Sequence, residues 1–268
     1  MGLVGRVGQV GQVRQVGQLG LVGLVGLVGR TSANIALFVC VLSGSSLPAP
    51  PDLPGPPGPS RDARMQGAPQ RPKPKLFAPQ DLGLLEGADR DQWQKPEQIM
   101  DALRIAEGSV VADLGAGGGW FTIKLARRVG PNGLVYAEDI QAPMIDWIVR
   151  RMQRENLTNV KTVLGTASDP RLPPGLDAVL IVDAYHEMDD PVTLLRNVAR
   201  SLKPNGRIGV VDFTPGGGGP GPSPEQRVDP QAVIEAAKAA GLRLISREAV
   251  PPFEFLLVFG RSDVRPSS

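Results

Sequence analysis

The stretch VVADLGAGGGWF, Val110 to Phe121, decides the fold, because an apolar run leads directly into four glycines within five positions. Residues 110–114 have the length and apolarity of a buried strand, and the glycines that follow predict a tight loop. In open α/β sheets, ligands bind outside the carboxyl ends of the strands. The loop at 115–119 is therefore predicted to line a ligand site.

Two common nucleotide-binding loops do not fit this stretch. A phosphate-binding P-loop needs Gly-x4-Gly-Lys-Ser/Thr, and no such run follows Gly115. A dinucleotide loop needs a third small residue, so that the helix can approach the strand. Trp120 takes that position when the count starts at Gly115, and Thr122 takes it when the count starts at Gly117. The sequence therefore argues against P-loop NTPases and nicotinamide oxidoreductases.

Strand and helix signals alternate beyond the loop and predict an α/β fold. Asp190-Pro191 and Asp229-Pro230 have the acid–proline pattern of a capped helix start. Pro251-Pro252 separates the last two strands and favours a hairpin. The predicted helices lie at 96–103 and 120–129 and begin at 143, 191 and 230, and the predicted strands lie at 109–114, 133–140, 159–164, 177–183, 207–213, 242–248 and 253–259.

Three motifs resemble those of class I S-adenosylmethionine-dependent methyltransferases, and the resemblance spans about residues 90–260. VVADLGAGGGWFTIKLA carries the acid and the three alternate glycines of motif I, and VYAEDI ends the second strand with two acids. SLKPNGRIGVVDF resembles the turn before strand five, with Asn205 in place of a glycine. The resemblance implies a Rossmann-like, doubly wound, mostly parallel seven-stranded sheet with an antiparallel C-terminal strand.

The resemblance also implies that S-adenosylmethionine binds at the glycine loop, where the backbone can approach its methionine and ribose parts. Asp139, twenty residues after Gly119, is favoured over Glu138 as the acceptor of both ribose hydroxyls, although the strand register could reverse that choice. The plain alternatives are an ordinary glycine-rich turn and an acid that caps the next helix. The cofactor-binding residues predicted in this way are Asp113, Gly115, Ala116, Gly117, Gly119, Glu138, Asp139, Ile140, Thr166, Ala167 and Asp183.

One segment departs from the family pattern. After the third strand the family often carries an acid that contacts the adenine amino group, whereas this chain has GTASDP at 165–170. Ala167 and Ser168 take the expected positions, and Asp169 lies just beyond them. Adenine recognition is therefore expected from backbone groups or from Asp169.

The segment VDAYHEMDDP, 182–191, follows the fourth strand and is predicted to form the catalytic face. It resembles the Asp/Asn-x-x-His stretch of small-molecule methyltransferases, including those related to quinone biosynthesis. The catalytic candidates are Asp183, Tyr185 and His186, and His186 is the only histidine of the chain, with a side chain suited to general base catalysis. The alternative is that His186 binds loop backbone and Tyr185 packs on the following helix.

Two further segments could cover the site. Trp93 and Gln94 precede the first predicted helix and could close over the cofactor. The segment TPGGGGPGPSPEQ, 214–226, is expected to be too flexible to define a pocket. Either this segment orders when the acceptor binds, or the site is open to a larger acceptor.

Composition limits the partners. A formal net charge of +2 and an aromatic content of 4% argue against a nucleic-acid partner. The one cysteine, Cys40, lies outside the predicted domain, so the chain can form no internal disulfide and no cysteine metal site, and no metal is predicted. The predicted function is methyl transfer to a small-molecule acceptor, with an inactive S-adenosylmethionine-binding module as the alternative. The oligomeric state is left open.

The residues before the predicted domain fall into compositional zones. Residues 1–29 repeat glycine with a period of three and lack the prolines of collagen, which predicts a low-complexity segment. Residues 30–46 have the layout of a secretory signal peptide, with too few apolar residues for a membrane span. If residues 30–46 are a signal peptide, the protein is expected to be exported or periplasmic. If they are not, it is expected to be cytoplasmic. The remaining predicted divisions are a Pro-rich linker at 47–79, the methyltransferase domain at 80–261 and a tail at 262–268.

Overall fold

The computed structural model describes residues 76–250 and 252–263. The predicted repeat at 1–29, the possible signal peptide at 30–46 and Cys40 lie outside the described residues, as do most of the linker and the end of the tail. Those assignments stay predictions. Within the described ranges, no helix is long and apolar enough to cross a bilayer.

Seven strands form one sheet, namely β1 (Val110–Leu114), β2 (Leu134–Asp139), β3 (Val160–Leu164), β4 (Leu176–Val182), β5 (Leu202–Phe213), β6 (Leu242–Val250) and β7 (Glu254–Arg261). Their order across the sheet is β3-β2-β1-β4-β5-β7-β6. Strands β1 to β5 pair in parallel, and β7 runs antiparallel to both β5 and β6. The predicted seven-stranded sheet with an antiparallel C-terminal strand is confirmed.

The α-helices of the described residues are α1 (Arg90–Gln94), α2 (Pro96–Ala102), α3 (Trp120–Val129), α4 (Ala142–Arg154), α5 (Pro191–Ser201) and α6 (Pro230–Ala239). Helix α3 has the predicted bounds, and α2, α4, α5 and α6 begin within one residue of their predicted starts. Helix α1 and the 3-10 helices were not predicted, because segments this short show no helical period. Those 3-10 helices span Pro79–Leu85, Tyr185–Glu187 and Pro224–Gln226.

The acid–proline patterns begin α5 and α6 as predicted. The Asp190 carboxylate accepts a hydrogen bond from the Thr193 backbone N–H at 3.0 Å, and Asp229 accepts one from the Gln231 N–H at 2.9 Å. These bonds satisfy donors that the first turn of a helix otherwise leaves without partners. The cap at Asp190 also fixes where the predicted catalytic segment ends.

Apolar side chains on the two faces of the sheet form two core clusters. Leu195 of α5 and Val233 of α6 are fully buried on one face, and Ile99 of α2 and Leu125 of α3 are fully buried on the other. Strands covered on both faces are nearly continuous apolar runs, which explains the sequence LDAVLIV of β4, where Asp177 is the one polar residue. Because helices cover both faces, the loops at the carboxyl ends of the strands are left to form a ligand site.

Strand β5 begins five residues before its predicted start at Arg207. Leu202 pairs with Leu176 and Arg207 pairs with Ala178, so the residues between Leu202 and Arg207 form an irregularity in the ladder. The sequence predicts a turn at 203–206 before the strand. Because both ends of this segment pair with β4, the strand instead continues through it.

Candidate functional site

A cavity of about 630 Å³ lies at the carboxyl ends of β1, β2 and β4, a size typical of small-molecule and cofactor sites. Most of the predicted site residues line it together. Gly119 and Tyr185 are the two predicted residues that do not. The predicted residues that line the cavity are Asp113, Gly115, Ala116, Gly117, Glu138, Asp139, Ile140, Thr166, Ala167, Asp183 and His186.

The glycine loop after β1 needs its glycines for two different reasons. Gly115 has a φ of +73°, and a Cβ added there would lie 2.6 Å from the Cβ of Ala184. Gly119, with a φ of +80°, is the N-cap of α3, and a Cβ there would approach Ile148 at 3.4 Å. Gly115 thus lets the backbone pass close to the β4 loop. Gly119, predicted as a cofactor contact, instead provides the left-handed start of the helix.

Asp113 is buried beneath this loop. Its Oδ2 accepts a hydrogen bond from the Thr122 hydroxyl at 2.6 Å, which links the end of β1 to the first turn of α3. Burial raises the pKa of Asp113 to about 6, against the lowering effect of the Thr122 bond and the Arg90 charge. Asp113 therefore holds the loop in shape and places a carboxyl group on the cavity wall.

Asp139 and Glu138 end β2 and bond to different parts of the loop. Asp139 accepts the Gly117 N–H at 2.9 Å on Oδ2 and the Gln141 N–H at 2.8 Å on Oδ1. Glu138 accepts the Gly115 N–H at 3.3 Å on Oε2, while its buried Oε1 has no hydrogen-bond partner among the described residues. Burial, and then the neighbouring Asp139, raises the pKa of Glu138 to about 8. Both acids line the cavity, and Asp139 makes the shorter bond to the glycine loop.

The segment after β3 brings Thr166 and Ala167 to the cavity but not Asp169. Asp169 is exposed and belongs to a local turn, in which its N–H donates to the Thr166 hydroxyl at 3.0 Å and its Oδ1 accepts the Arg171 N–H at 2.9 Å. The sequence left two sources of adenine contacts open, backbone groups and Asp169. The Asp169 side chain is bonded within its own turn, away from the cavity, which leaves the backbone groups.

His186 lies in the 3-10 helix after β4 and contacts an acid that the sequence analysis missed. Its Nδ1 lies 3.0 Å from Oδ1 and 3.1 Å from Oδ2 of Asp212. Asp212 is the last residue but one of β5 and is fully buried. Burial alone would lower the pKa of His186, but the bond to Asp212, with the charges of Asp212, Glu187 and Asp183, outweighs it and raises the pKa. The available signal was an acid within the apolar run VVDF.

Tyr185 packs in the core rather than at the cavity. It is 4% exposed and belongs to the apolar cluster that α5 and α6 cover. The single turn at 185–187 explains this placement, because neighbouring residues in a tight turn point in different directions. The catalytic prediction requires Tyr185 to face the acceptor. In this position its side chain packs in the core and does not line the cavity.

Asp183 follows β4 in the left-handed region, with a φ of +55°, which is uncommon for a residue other than glycine. Arg90 of α1 donates from Nη2 to Asp183 Oδ2 at 2.9 Å, and Asp183 also shares a side-chain hydrogen bond with the Glu254 carboxyl group. Arg90 is also buried, with its guanidinium 4.2 Å from the ring centre of Trp120. Burial raises the pKa of Asp183, and the Arg90 charge opposes that rise.

Gln94 and Glu254 extend this buried polar network to β7. The Gln94 side-chain oxygen accepts a bond from Arg90 Nε at 2.8 Å, and its Nε2 lies 2.8 Å from each carboxyl oxygen of Glu254. Burial, and then the charge of Asp183, raises the pKa of Glu254 to about 11. Glu254 is therefore a neutral carboxylic acid at physiological pH.

Residues 76–94 form a cap over the cavity that the sequence predicted only in part, through Trp93 and Gln94. Trp93 lines the cavity, whereas Gln94 is buried in the polar network. Glu86 of the cap binds Arg151 of α4 through two bonds of 2.6 Å, and Arg151 also donates to the Gly118 carbonyl of the glycine loop at 2.9 Å. The cap is thus tied directly to the loop that it covers.

The segment 214–226 is ordered, contrary to the expectation that it is too flexible to define a pocket. The guanidinium of Arg227 donates to four of its carbonyls, those of Thr214, Gly218, Pro220 and Pro222, at 2.9 to 3.2 Å. Because one buried cation organises the segment, its Gly/Pro composition does not make it a free coil. The members of this segment that line the cavity are Pro220, Gly221, Pro222 and Gln226.

Replacing Arg227 with methionine is expected to release this segment, because each lost bond to a charged donor contributes about 1.5–3 kcal/mol. Amide hydrogen exchange in 214–226 should become at least roughly tenfold faster, while exchange in β1 stays unchanged. Arg196→Met is the matched control, since Arg196 is exposed and makes one bond, to Ala239. Equal exchange in both variants would contradict the organising role of Arg227.

Comparisons with known proteins agree with this architecture. A family model described as a methyltransferase domain matches residues 111–206. The demethylmenaquinone methyltransferase of Lactobacillus johnsonii is 28% identical over 131 residues, which are 48% of this chain and 53% of that protein. The nocamycin O-methyltransferase of Saccharothrix syringae is 31% identical over 131 residues, which are 48% of this chain and 44% of that protein. The chain spans about half the length of these curated relatives.

A solved structure extends the likeness beyond the matched segment. The SAM-dependent methyltransferase from Aquifex aeolicus superimposes with a TM-score of 0.66 at 25% identity and covers 69% of this chain and 98% of that chain. The motifs, the sheet order, the family model and this structure agree with one another. Residues 111–206 match a methyltransferase domain, and the fold around them is that of class I S-adenosylmethionine-dependent methyltransferases.

Proposed function

We propose that this protein transfers a methyl group from S-adenosylmethionine to a small-molecule acceptor. The observation that carries the proposal is the contact between Asp139 and the Gly117 N–H, at the edge of a cavity lined by both. It joins the acid of β2 to the glycine loop of β1 at the strand ends, where this fold binds ligands. The relatives named as quinone and O-methyltransferases support a small-molecule acceptor.

The residues present fit this cofactor. Gly115 leaves no room for a side chain beside Ala184 of the β4 loop, so its backbone would face the methionine part. Asp139 would accept the ribose hydroxyls, and Ile140 would give the adenine an apolar contact. Thr166 and Ala167 carry no acid, so adenine would be read there by backbone groups.

Methyl transfer requires alignment of donor and acceptor and, for a protonated acceptor, a base. When bound, S-adenosylmethionine supplies an electrophilic methyl group on a positively charged sulfur. Asp183 would contact the cofactor or the acceptor from the end of β4, and His186 would face the acceptor. Tyr185 has no place in this proposal, since it packs in the core.

The charge of the cavity favours such a ligand. Carboxyl groups of Asp113, Asp139 and Asp183 line it, and Arg90 is buried against Asp183. A cationic sulfonium is attracted to these groups, whereas the neutral product that remains after transfer is attracted less. This difference would help the product to leave.

Calorimetric titration of the full chain with S-adenosylmethionine, S-adenosylhomocysteine and NAD tests the proposal. Asp139→Asn is expected to weaken binding of the first two by roughly 10- to 100-fold, because a hydrogen bond to a charged acceptor contributes about 1.5–3 kcal/mol. Asp146→Asn, at an exposed position of α4, is the matched control and should bind like the wild type. Binding of NAD alone would refute the cofactor assignment. Tight cofactor binding without methyl transfer to any acceptor would favour an inactive binding module.

A further inference from the structure

Asp212 is held in one orientation by three donors. Its Oδ2 accepts the His186 backbone N–H at 3.0 Å, its Oδ1 accepts the Phe213 N–H at 2.8 Å, and both oxygens lie within 3.1 Å of His186 Nδ1. The side chain is fully buried at the end of β5, so water does not compete for these bonds. The carboxylate is therefore a rigid acceptor for one particular ring nitrogen.

A fixed acceptor at Nδ1 determines which nitrogen of neutral His186 carries the proton. A carboxylate only accepts hydrogen bonds, so the proton lies on Nδ1, and Nε2 keeps its lone pair. Among the described residues, the nearest carboxylate to Nε2 is Oε1 of Glu187, at 3.8 Å, which is beyond hydrogen-bond distance. Within this part of the chain His186 thus offers a basic nitrogen without a hydrogen bond, and the residue lines the cavity.

The surroundings restrict what this base can act on. Asp212, Glu187 and Asp183 place three acids around His186, and these disfavour an acceptor that arrives as an anion. The same acids hold an amine as its ammonium ion, which has no lone pair to attack the methyl carbon. A neutral hydroxyl avoids both problems and still needs a base.

We propose that Asp212 is a positioning residue that directs Nε2 of His186 toward the acceptor, and that the acceptor is a small molecule with a neutral, weakly acidic hydroxyl group such as a phenol or an enol. The inference rests on the proposed function and assigns its substrate class. The hydroxyl gives its proton to Nε2, and its oxygen forms a bond to the methyl carbon. The carbon–sulfur bond breaks with its electron pair on sulfur. The products are a methyl ether, S-adenosylhomocysteine and an imidazolium that returns its proton to water.

The orientation of His186 can be measured without any substrate. Because the chain has a single histidine, the ring nitrogens of the untagged, ¹⁵N-labelled full chain give one unambiguous set of NMR signals. The wild type is expected to carry the neutral-state proton on Nδ1. Asp212→Asn should lose this preference and lower the pH at which His186 titrates, and Asp146→Asn should change neither. A wild-type proton on Nε2 would overturn the positioning role.

The acceptor class is tested by S-adenosylhomocysteine release with phenol, 4-chlorophenol and 4-nitrophenol, and with benzylamine as the amine probe. Methylation of the phenols is expected, with about 100-fold lower kcat/KM in Asp212→Asn for phenol, the size typical of a lost general base. The loss should shrink for 4-nitrophenol, which ionises without help. His186→Gln should show the same pattern, so the result does not depend on the folding of one variant. Transfer to benzylamine alone, or to no phenol, would overturn the assignment.

Failure of this inference is distinguishable from failure of the proposed function. Wild-type protein that does not bind S-adenosylmethionine refutes the function itself. Cofactor binding with a uniform loss for all phenols in Asp212→Asn, and no change in the His186 titration, refutes only the positioning role. A merely structural role of Asp212 would lower the melting temperature without changing the dependence on phenol acidity.

Discussion

Arg90→Ala is expected to lower the free energy of unfolding by about 3–5 kcal/mol, the typical cost of removing one partner of a buried ion pair. The substitution leaves Asp183 buried without its cation, close to the acids Asp212 and Glu254. It also frees the side-chain oxygen of Gln94 and removes the cation over the Trp120 ring. Chemical denaturation at constant temperature measures the change.

The loss should grow as the pH rises. Burial already raises the pKa of Asp183 in the folded state, and removal of Arg90 raises it further. A folded-state pKa above the unfolded value means that the stability is present at low pH and is lost as the pH increases. The difference between Arg90→Ala and wild type should therefore be larger at pH 8 than at pH 5.

Two variants make this result specific. Arg90→Ala combined with Asp183→Asn should regain part of the stability, because the uncompensated charge is gone. Arg127→Ala breaks an exposed pair with Glu155 and should cost less than about 1 kcal/mol at either pH. A pH-independent loss of that small size in Arg90→Ala would show that Arg90 and Asp183 are not a buried pair.

The sequence predicted the parts of the site that are local in the chain. The glycine loop, its acid Asp113 and the acids at the end of β2 lie within thirty residues and follow from strand–loop–helix patterns. The strands of the sheet were predictable for the same reason, because each buried strand is an apolar run with a clear end. The largest shift of a boundary is at β5, where the turn 203–206 pairs with β4 at both of its ends.

Long-range contacts account for what the sequence could not predict. Arg90 and Asp183 are 93 residues apart, and nothing in the five-residue helix α1 indicates that its arginine enters the site. His186 and Asp212 are adjacent only because β4 and β5 are neighbours in the sheet. Arg227 lies just outside the glycine-rich segment that it organises, so composition alone predicted flexibility. In each case the contact forms only after folding has brought together segments that a local sequence pattern does not connect.

Removing the carboxylic acid of Glu254 is expected to stabilise the protein. The pKa of Glu254 is raised from 4.5 to about 11, mainly by burial and then by Asp183, so the folded state holds a proton that the unfolded chain releases above pH 4.5. The contribution of this group to stability is therefore complete below pH 4.5 and is lost progressively as the pH rises toward 11. Glu254→Gln replaces the neutral acid with a neutral amide of the same shape, which has no proton to lose.

Glu254→Gln should be roughly 1–3 kcal/mol more stable than wild type at pH 8, which is less than full linkage predicts because relaxation and water entry reduce the penalty. The gain should disappear near pH 4.5, where the unfolded glutamate also begins to hold a proton. Gln94 can still donate to the amide oxygen, so its bond to β7 is kept. Glu235→Gln, at an exposed position of α6, should show no gain that depends on pH. A Glu254→Gln protein that is less stable than wild type at pH 8 would mean that Glu254 is charged and bound by Arg90. The stability of the cap would then depend on a salt bridge rather than on a neutral hydrogen bond.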